Sequence, residues 1–302
     1  MTTLSERAKA LLERASDCAP MRTAVVHPVD DLSLGGAAAA AQAGLIVPNY
    51  IGPKAKIEAV GIAFQESQLI DVPHSHAAAD EAVRLVNAGK IDAIMKGKLH
   101  TDELLSAVLS SKDGLRTDKR LGHVFALDVS GLDRWLFIAD AAVNISPDLM
   151  AKRDIVQHAI DLAQALGIET PRVAILSATE EVNPKMISTL DAAALCKMAD
   201  RGQITGAVLD GPLAYDNAMS QAAAQTKGIV SDVAGRADIL IVPDLEAGNI
   251  LAKQMDYMAG TNAYGIALGA RVPIILTSRA DSVEERIGSC ALASLYLNRT
   301  RV

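Results

Sequence analysis

Aromatic residues are scarce in this 302-residue chain, with one Trp, five Tyr and three Phe making 3% of it. So few rings offer no base-stacking platform. Twenty-nine Lys and Arg against 36 Asp and Glu leave a net charge of −7, so there is no basic field either. Together these shortages exclude nucleic acid as a partner. An anionic ligand would have to be held by locally placed Lys, Arg and backbone N–H groups. Cysteine is also rare: Cys18, Cys196 and Cys290 stand far apart with no CxxC pair, which suggests packing roles in a reduced, cytoplasmic protein. No apolar run approaches the ~18 residues needed to span a bilayer, so no membrane partner is expected. The opening "MTTLSERAKALLERASD" spaces Leu4, Ala8, Leu11, Leu12 and Ala15 along one face of an amphipathic helix, unlike the unbroken apolar core of a signal peptide. No G-x-G-x-x-G follows a strand, and neither GxxxxGK[ST] nor G-x-S-x-G occurs, so dinucleotide loops, NTP loops and a nucleophile elbow find no support. "PHSH" gives His74 and His76 metal-like spacing without a partner cluster; it reads as a surface turn, and no metal is expected.

What the chain does contain is alternation. Half of its residues are apolar and 22% are charged, a globular balance, and its length commonly divides into two domains. Short β-branched runs read as strands buried on both faces: "RTAVVH" (22–27), "IDAIM" (91–95), "RVAILS" (172–177), "ITGAVLD" (204–210), "DILIVP" (238–243) and "VPIILT" (272–277). Helices lie between them. Ser75 is expected to cap one running to Gly89, and Ser146-Pro147 to open one closed by Gly167. Ser188 with Asp191 resembles a capping box before a stop at Gly202. The segment "EAGNILAKQMDYMAGTNAYGIALGARVP" carries helical spacing and then Gly-rich turns. Strand and helix in alternation predict an α/β fold with mainly parallel sheets.

In such sheets ligands gather beyond the carboxyl ends of the strands. The residues there are "KGKLHT", "SATEEVNPK", "DGPLAYDN", "PDLEAGN" and "TSRADS". Each admits a plain reading beside a functional one. Lys96 and Lys98 suit a solvated turn or an anion, and Thr101 suits a helix cap, a ligand contact or both. Asp210 and Asp244 read first as turn residues, and Asn217 and Asn249 as loop hydrogen-bonders. Arg279, ending an apolar strand, needs an anion, which either a ligand or a carboxylate supplies. Ser282-x-x-Glu285 is a capping box, which favours a cap over a base for Glu285.

Six strings in order, "MKGKLHTDELL", "DAAVNISPDL", "ILSATEEVNPKM", "LDGPLAYDNAMS", "VPDLEAGN" and "IILTSRADS", resemble the phosphate acetyl/butyryltransferase family from about Arg22 to Asn298. The likeness is nearest to the acyltransferase half of proteins that also carry an enoyl-CoA hydratase-like domain. The resemblance implies two α/β domains with an interdomain cleft, isocitrate/isopropylmalate dehydrogenase-like in fold. Residues 1–124 and 268–302 would form the first, discontinuous domain and 125–267 the second. It implies the reaction acyl-CoA + phosphate ⇌ acyl phosphate + CoA, a homodimer, and coenzyme A as substrate with no tightly bound cofactor. Transfer would be direct, without an acyl-enzyme, and acetyl is preferred to butyryl. Position by position, Ser278 matches the serine that bonds the reacting thiol and Arg279 the arginine that holds phosphate. Glu285 falls where acetyltransferases carry an aspartate proposed as base. Lys96, Gly97, Lys98 and Thr101 match a second phosphate loop. Where the family commonly has an arginine five residues past that threonine, this chain has Ser106, leaving Lys96, Lys98 or Arg116 to supply the charge. Asp140, Asn144, Asp210, Asn217, Asp244 and Asn249 fall in family motifs that shape the cleft. Two rivals remain: a decarboxylating dehydrogenase, for which no nicotinamide or metal motif is found, and a non-catalytic CoA- or acyl-phosphate-binding relative.

Overall fold

The computed structural model describes residues 4–300, so the outermost positions of the expected first domain lie outside the described residues. In chain order the first part holds α1 (Glu6–Ser16), β1 (Met21–Val26), α2 (Asp31–Gln42), β2 (Ile46–Gly52), α3 (Lys54–Glu58), β3 (Leu69–Asp71), α4 (Ser75–Asn87), β4 (Ala93–Lys96) and α5 (Thr101–Val108). The middle holds β5 (Gly122–Asp128), β6 (Leu136–Ala139), α6 (Leu149–Ala165), β7 (Arg172–Leu176), α7 (Ile187–Asp200), β8 (Val208–Leu213), α8 (Tyr215–Met219), α9 (Gln221–Thr226), β9 (Ile239–Ile241) and α10 (Leu245–Met258). The chain closes with β10 (Asn262–Leu268), β11 (Ile274–Ile275) and α11 (Val283–Thr300). Contacts divide it into two compact units, Met1–Lys119 with Tyr264–Val302, and Arg120–Ala263.

In the first unit the strands run β3-β2-β1-β4-β11-β10, all neighbours parallel except β10 with β11. Ala24, Val25, Val26, Ala93, Ile94, Met95, Ile274 and Ile275 are buried, as expected of strands covered on both faces. A clamp fixes the amino ends of β1 and β4: Asp92 accepts from the Arg22 backbone N–H (2.9 Å) and from its Nε and Nη2 (2.8 Å each). In the second unit the order is β5-β6-β9-β7-β8, antiparallel only between β5 and β6. The α/β class with mainly parallel sheets is as expected. Among the described residues, no helix is long and apolar enough to cross a membrane, and no group of three or more His, Cys, Asp and Glu is placed to hold a metal.

Several local expectations need correction. "NAYGIAL", expected as Gly-rich turn, is strand β10, because Tyr264, Ile266, Ala267 and Leu268 alternate into buried positions on both faces. β8 extends to Leu213, so Gly211 and Pro212 lie in a strand. A Cβ on Gly211 would meet the Ile175 backbone oxygen at 2.8 Å, which is why glycine permits that pairing. Helix starts also shift. His74, not Ser75, caps α4 by accepting from the Ala77 N–H at 3.1 Å. Asp148, not Ser146, caps α6 (2.8 Å to Ala151 N–H). Ser188 lies inside α7, and Asp191 pairs with the Lys152 ammonium at 2.7 Å instead of completing a capping box.

Candidate active site

Three neighbouring parallel strands of the first unit, β1, β4 and β11, end together. Val26 stands opposite Lys96, and Met95 opposite Ile275. The residues after these strands therefore meet at one sheet edge. Gly97 N–H donates to Val26 O (2.9 Å) and Lys98 N–H to His27 O (2.9 Å). A Cβ on Gly97 would sit 2.4 Å from Val26 O, so only glycine allows this approach. His27, at φ 56°, turns its Nδ1 onto Lys98 O at 2.7 Å.

Lys96 closes β4 as a buried side chain. Burial, with Arg286 and Arg279 close by, pulls its ammonium down to about 8 against the opposing pull of Asp281 and Asp30. Lys98 is exposed and lies 3.7 Å from Asp30 Oδ2. Asp30 caps α2, accepting from Ser33 N–H (2.9 Å) and Ser33 Oγ–H (2.5 Å). Burial pushes its carboxyl up, but Ser33, Lys98 and Arg286 outweigh that and leave it below the usual value. Thr101 is the first residue of α5 rather than its cap. His100 is the cap, and Glu103 Oε1 accepts from its N–H at 3.4 Å.

The opposite wall is the turn after β11. Ser278 N–H donates to Asp281 Oδ2 at 2.6 Å, and Arg279 Nη2 lies 3.1 Å from His100 Nδ1, linking the two loops. Glu285 closes the capping box of α11. Its Oε2 accepts from Ser282 N–H (2.8 Å) and Oγ–H (2.9 Å), and its N–H donates to Ser282 Oγ (3.2 Å). The positive end of an 18-residue helix thus begins a few residues after the turn that carries Ser278 and Arg279.

Not every expected residue arrives. Arg116 bridges Ala270, in the connection before β11 and so at the far ends of the strands. Its neighbour Leu115 donates its N–H to Val108 O (2.7 Å) at the end of α5, the helix of exposed Ser106. In the second unit, buried Asp140 accepts from the N–H groups of Ala142, Val143 and Asn144 (3.0, 3.0 and 3.1 Å) and shapes its loop. Asp244 caps α10 through Ala247 N–H (2.9 Å), Asn249 Nδ2 donates to Ala141 O (3.2 Å), and Asp210 Oδ1 takes Gly211 N–H (2.8 Å). Asn217 is buried with its Nδ2 3.2 Å from Glu180. Asp244 also lines a pocket of about 450 Å³ in that unit, with Lys152, Met186, Ile187, Asp191 and Pro243. The sequence reading missed Arg286, Asp30 and His27. Arg286 had a signal: it is the charged member of the stripe Arg286, Cys290, Ala293 along a helix, where an apolar side chain belongs.

Comparison with known proteins identifies the family. The model of the family described as phosphate acetyl/butaryl transferase matches residues 28–294. A phosphate acetyltransferase of Rhizobium meliloti is 58% identical over 295 residues, covering 96% of this chain and 93% of that protein. A phosphate butyryltransferase of Clostridium acetobutylicum is 46% identical over 236 residues, 78% of each. The crystal structure of a branched-chain phosphotransacylase from Enterococcus faecalis superposes with a TM-score of 0.78 at 28% identity, over 92% of this chain and 99% of that one. The chain belongs to the phosphate acetyl/butaryl transferase family.

Proposed function

We propose that this protein is a phosphate acyltransferase acting on acetyl-CoA, catalysing acetyl-CoA + phosphate ⇌ acetyl phosphate + CoA. The observation that carries the assignment of its site is the meeting of Lys96, His100, Ser278, Arg279 and the α11 N-terminus at one sheet edge, tied across by the 3.1 Å Arg279–His100 contact. Phosphate in water is a poor nucleophile; a guanidinium fork, an ammonium and helix N–H groups strip and orient it. One phosphate oxygen adds to the thioester carbonyl carbon. The C–S bond of the tetrahedral intermediate then breaks, and the proton of hydrogen phosphate ends on the CoA sulfur. Ser278 is the donor to that sulfur, and Glu285 carries its proton in the reverse direction. Gly97, Lys98 and Thr101 form the second phosphate loop, while Asp210, Asp244 and Asn249 shape the CoA-binding surface. Burial pushes the Cys196 and Cys290 thiols up to about 12, which suits transfer without a cysteine acyl-enzyme.

The two compact units serve as the two domains of this reading. Acetyl is preferred because the relative at 58% identity is a phosphate acetyltransferase. Two methylenes, at ~0.8 kcal/mol each, separate acetyl from butyryl, so a few pocket atoms decide between them. A homodimer is proposed through α10, which exposes Ile250, Tyr257 and Met258 while burying only Gly248 and Ala252. Arg279→Ala tests the clamp. The Michaelis constant for phosphate should rise about tenfold or more, as expected for losing charge-assisted bonds, with that for acetyl-CoA little changed. Normal phosphate saturation would sink the role.

A further inference from the structure

Arg286 is the fourth residue of α11 and is 2% exposed. Its Nη1 donates to Thr277 Oγ1 at 2.8 Å and its Nη2 to Ser278 O at 2.8 Å, while its Nε is buried without an acceptor. Burial pulls the guanidinium below its ordinary pKa, against Asp281, Asp30, Cys290 and Glu285. A buried cation with an idle donor is a costly way to fill space, and a well-packed apolar side chain is usually as good for stability. What arginine adds is a rigid planar fork, here spanning two consecutive residues of the turn. Asp281 Oδ2 holds the Ser278 N–H at 2.6 Å and Arg286 holds the Ser278 carbonyl, so the backbone of Ser278 is tied on both sides.

A second element makes room for this. On Gly36 of α2, a Cβ would fall 2.5 Å from Arg286 Cδ and 3.0 Å from its Cβ. The adjacent Gly35 would meet only Ile62 Cδ1, at an ordinary 3.5 Å. Glycine weakens a helix interior, and at position 36 it admits the arginine stem.

We propose that Arg286 is a positioning residue for the transfer site, with Gly36 as its necessary neighbour. The buried fork holds the Thr277–Ser278 turn in the shape that presents the Ser278 hydroxyl and the Arg279 guanidinium. The inference rests on the phosphate acyltransferase reading above.

The test is a double-mutant cycle on the full chain, with Gly36→Ala, Arg286→Ala and the pair, plus Thr277→Val and Gly35→Ala. Each variant is read by circular-dichroism melting and by kcat and the Michaelis constants for phosphate and acetyl-CoA. A shift of an ångström in reacting groups costs up to about a hundredfold in rate. Gly36→Ala and Thr277→Val should therefore lower kcat and raise the phosphate constant while still melting cooperatively. Gly35→Ala should behave as wild type. Arg286→Ala should be impaired more, and adding Gly36→Ala to it should cost far less than Gly36→Ala costs the wild type, because the 2.5 Å approach to Cδ has gone and only the 3.0 Å approach to Cβ remains; that non-additivity marks the contact. If Arg286→Ala does not fold, Gly36→Ala and Thr277→Val carry the test. Unchanged kinetic constants in both, beside an active wild type, would overturn the positioning role alone. A wild type without phosphate-dependent CoA release would instead remove the functional reading beneath it.

Discussion

At the scale of single residues the site is a problem of crowded cations. Buried Lys96 feels the charges of buried Arg286 and exposed Arg279, relieved by Asp281 and Asp30, and burial with this repulsion pulls its ammonium down to about 8. If that ammonium helps to hold phosphate, the Michaelis constant for phosphate should climb as pH rises through about 8, and Lys96→Met should flatten the profile. Stability runs the other way. The unfolded lysine keeps its proton to 10.5, so the unfolded chain binds more protons between about 8 and 10.5, and the folded state gains stability as pH rises through that window. A phosphate constant flat from pH 7 to 9 would remove Lys96 from the clamp. Glu285 poses a separate question, because its carboxylate is already committed to the capping box with Ser282. Glu285→Gln keeps an acceptor for the cap but carries no proton. As general base its loss should lower turnover by about a hundredfold with an unchanged melting midpoint. Turnover like wild type would leave it a cap alone.

At the scale of elements, the sequence disclosed the strands that bear the site and missed others. "IDAIM" and "VPIILT" were readable because buried parallel strands are short, β-branched and apolar. β2 was harder, since Pro48 and Asn49 interrupt its pattern, and β10 was hidden by Gly265 within a Gly-rich stretch. Helix caps were misplaced by one or two residues because serine is a good cap in isolation, while His74 and Asp148 had the geometry to take the bond. The Ser282–Glu285 box was legible because both partners are local. Arg286 was overlooked because its partners, Thr277, Ser278 and Gly36, are brought together only by folding. The same scale offers a test of assembly. α10 leaves Tyr257 and Met258 71% and 81% exposed, so replacing both with Asp should reduce the mass seen by light scattering to about half. An unaltered mass would remove α10 from the proposed assembly.

At the scale of the molecule, two compact α/β units of similar construction divide the work. The first gathers the cations, the serine and the helix N-terminus at the ends of β1, β4 and β11. The second spends its motif residues, Asp140, Asp244 and Asn249, on holding loops and caps at the ends of its own strands. The reaction class was legible in the order of six motifs along the chain; the charge standing in for an arginine at Ser106 was not, because spacing alone does not say which cation folds toward that position. The central claim is that acyl transfer goes to phosphate. CoA thiol release from acetyl-CoA and butyryl-CoA, each with and without phosphate, tests it most directly. Release that requires phosphate and is faster with acetyl-CoA is the expected result. Release indifferent to phosphate, or none from either thioester by a folded protein that binds CoA, would contradict it.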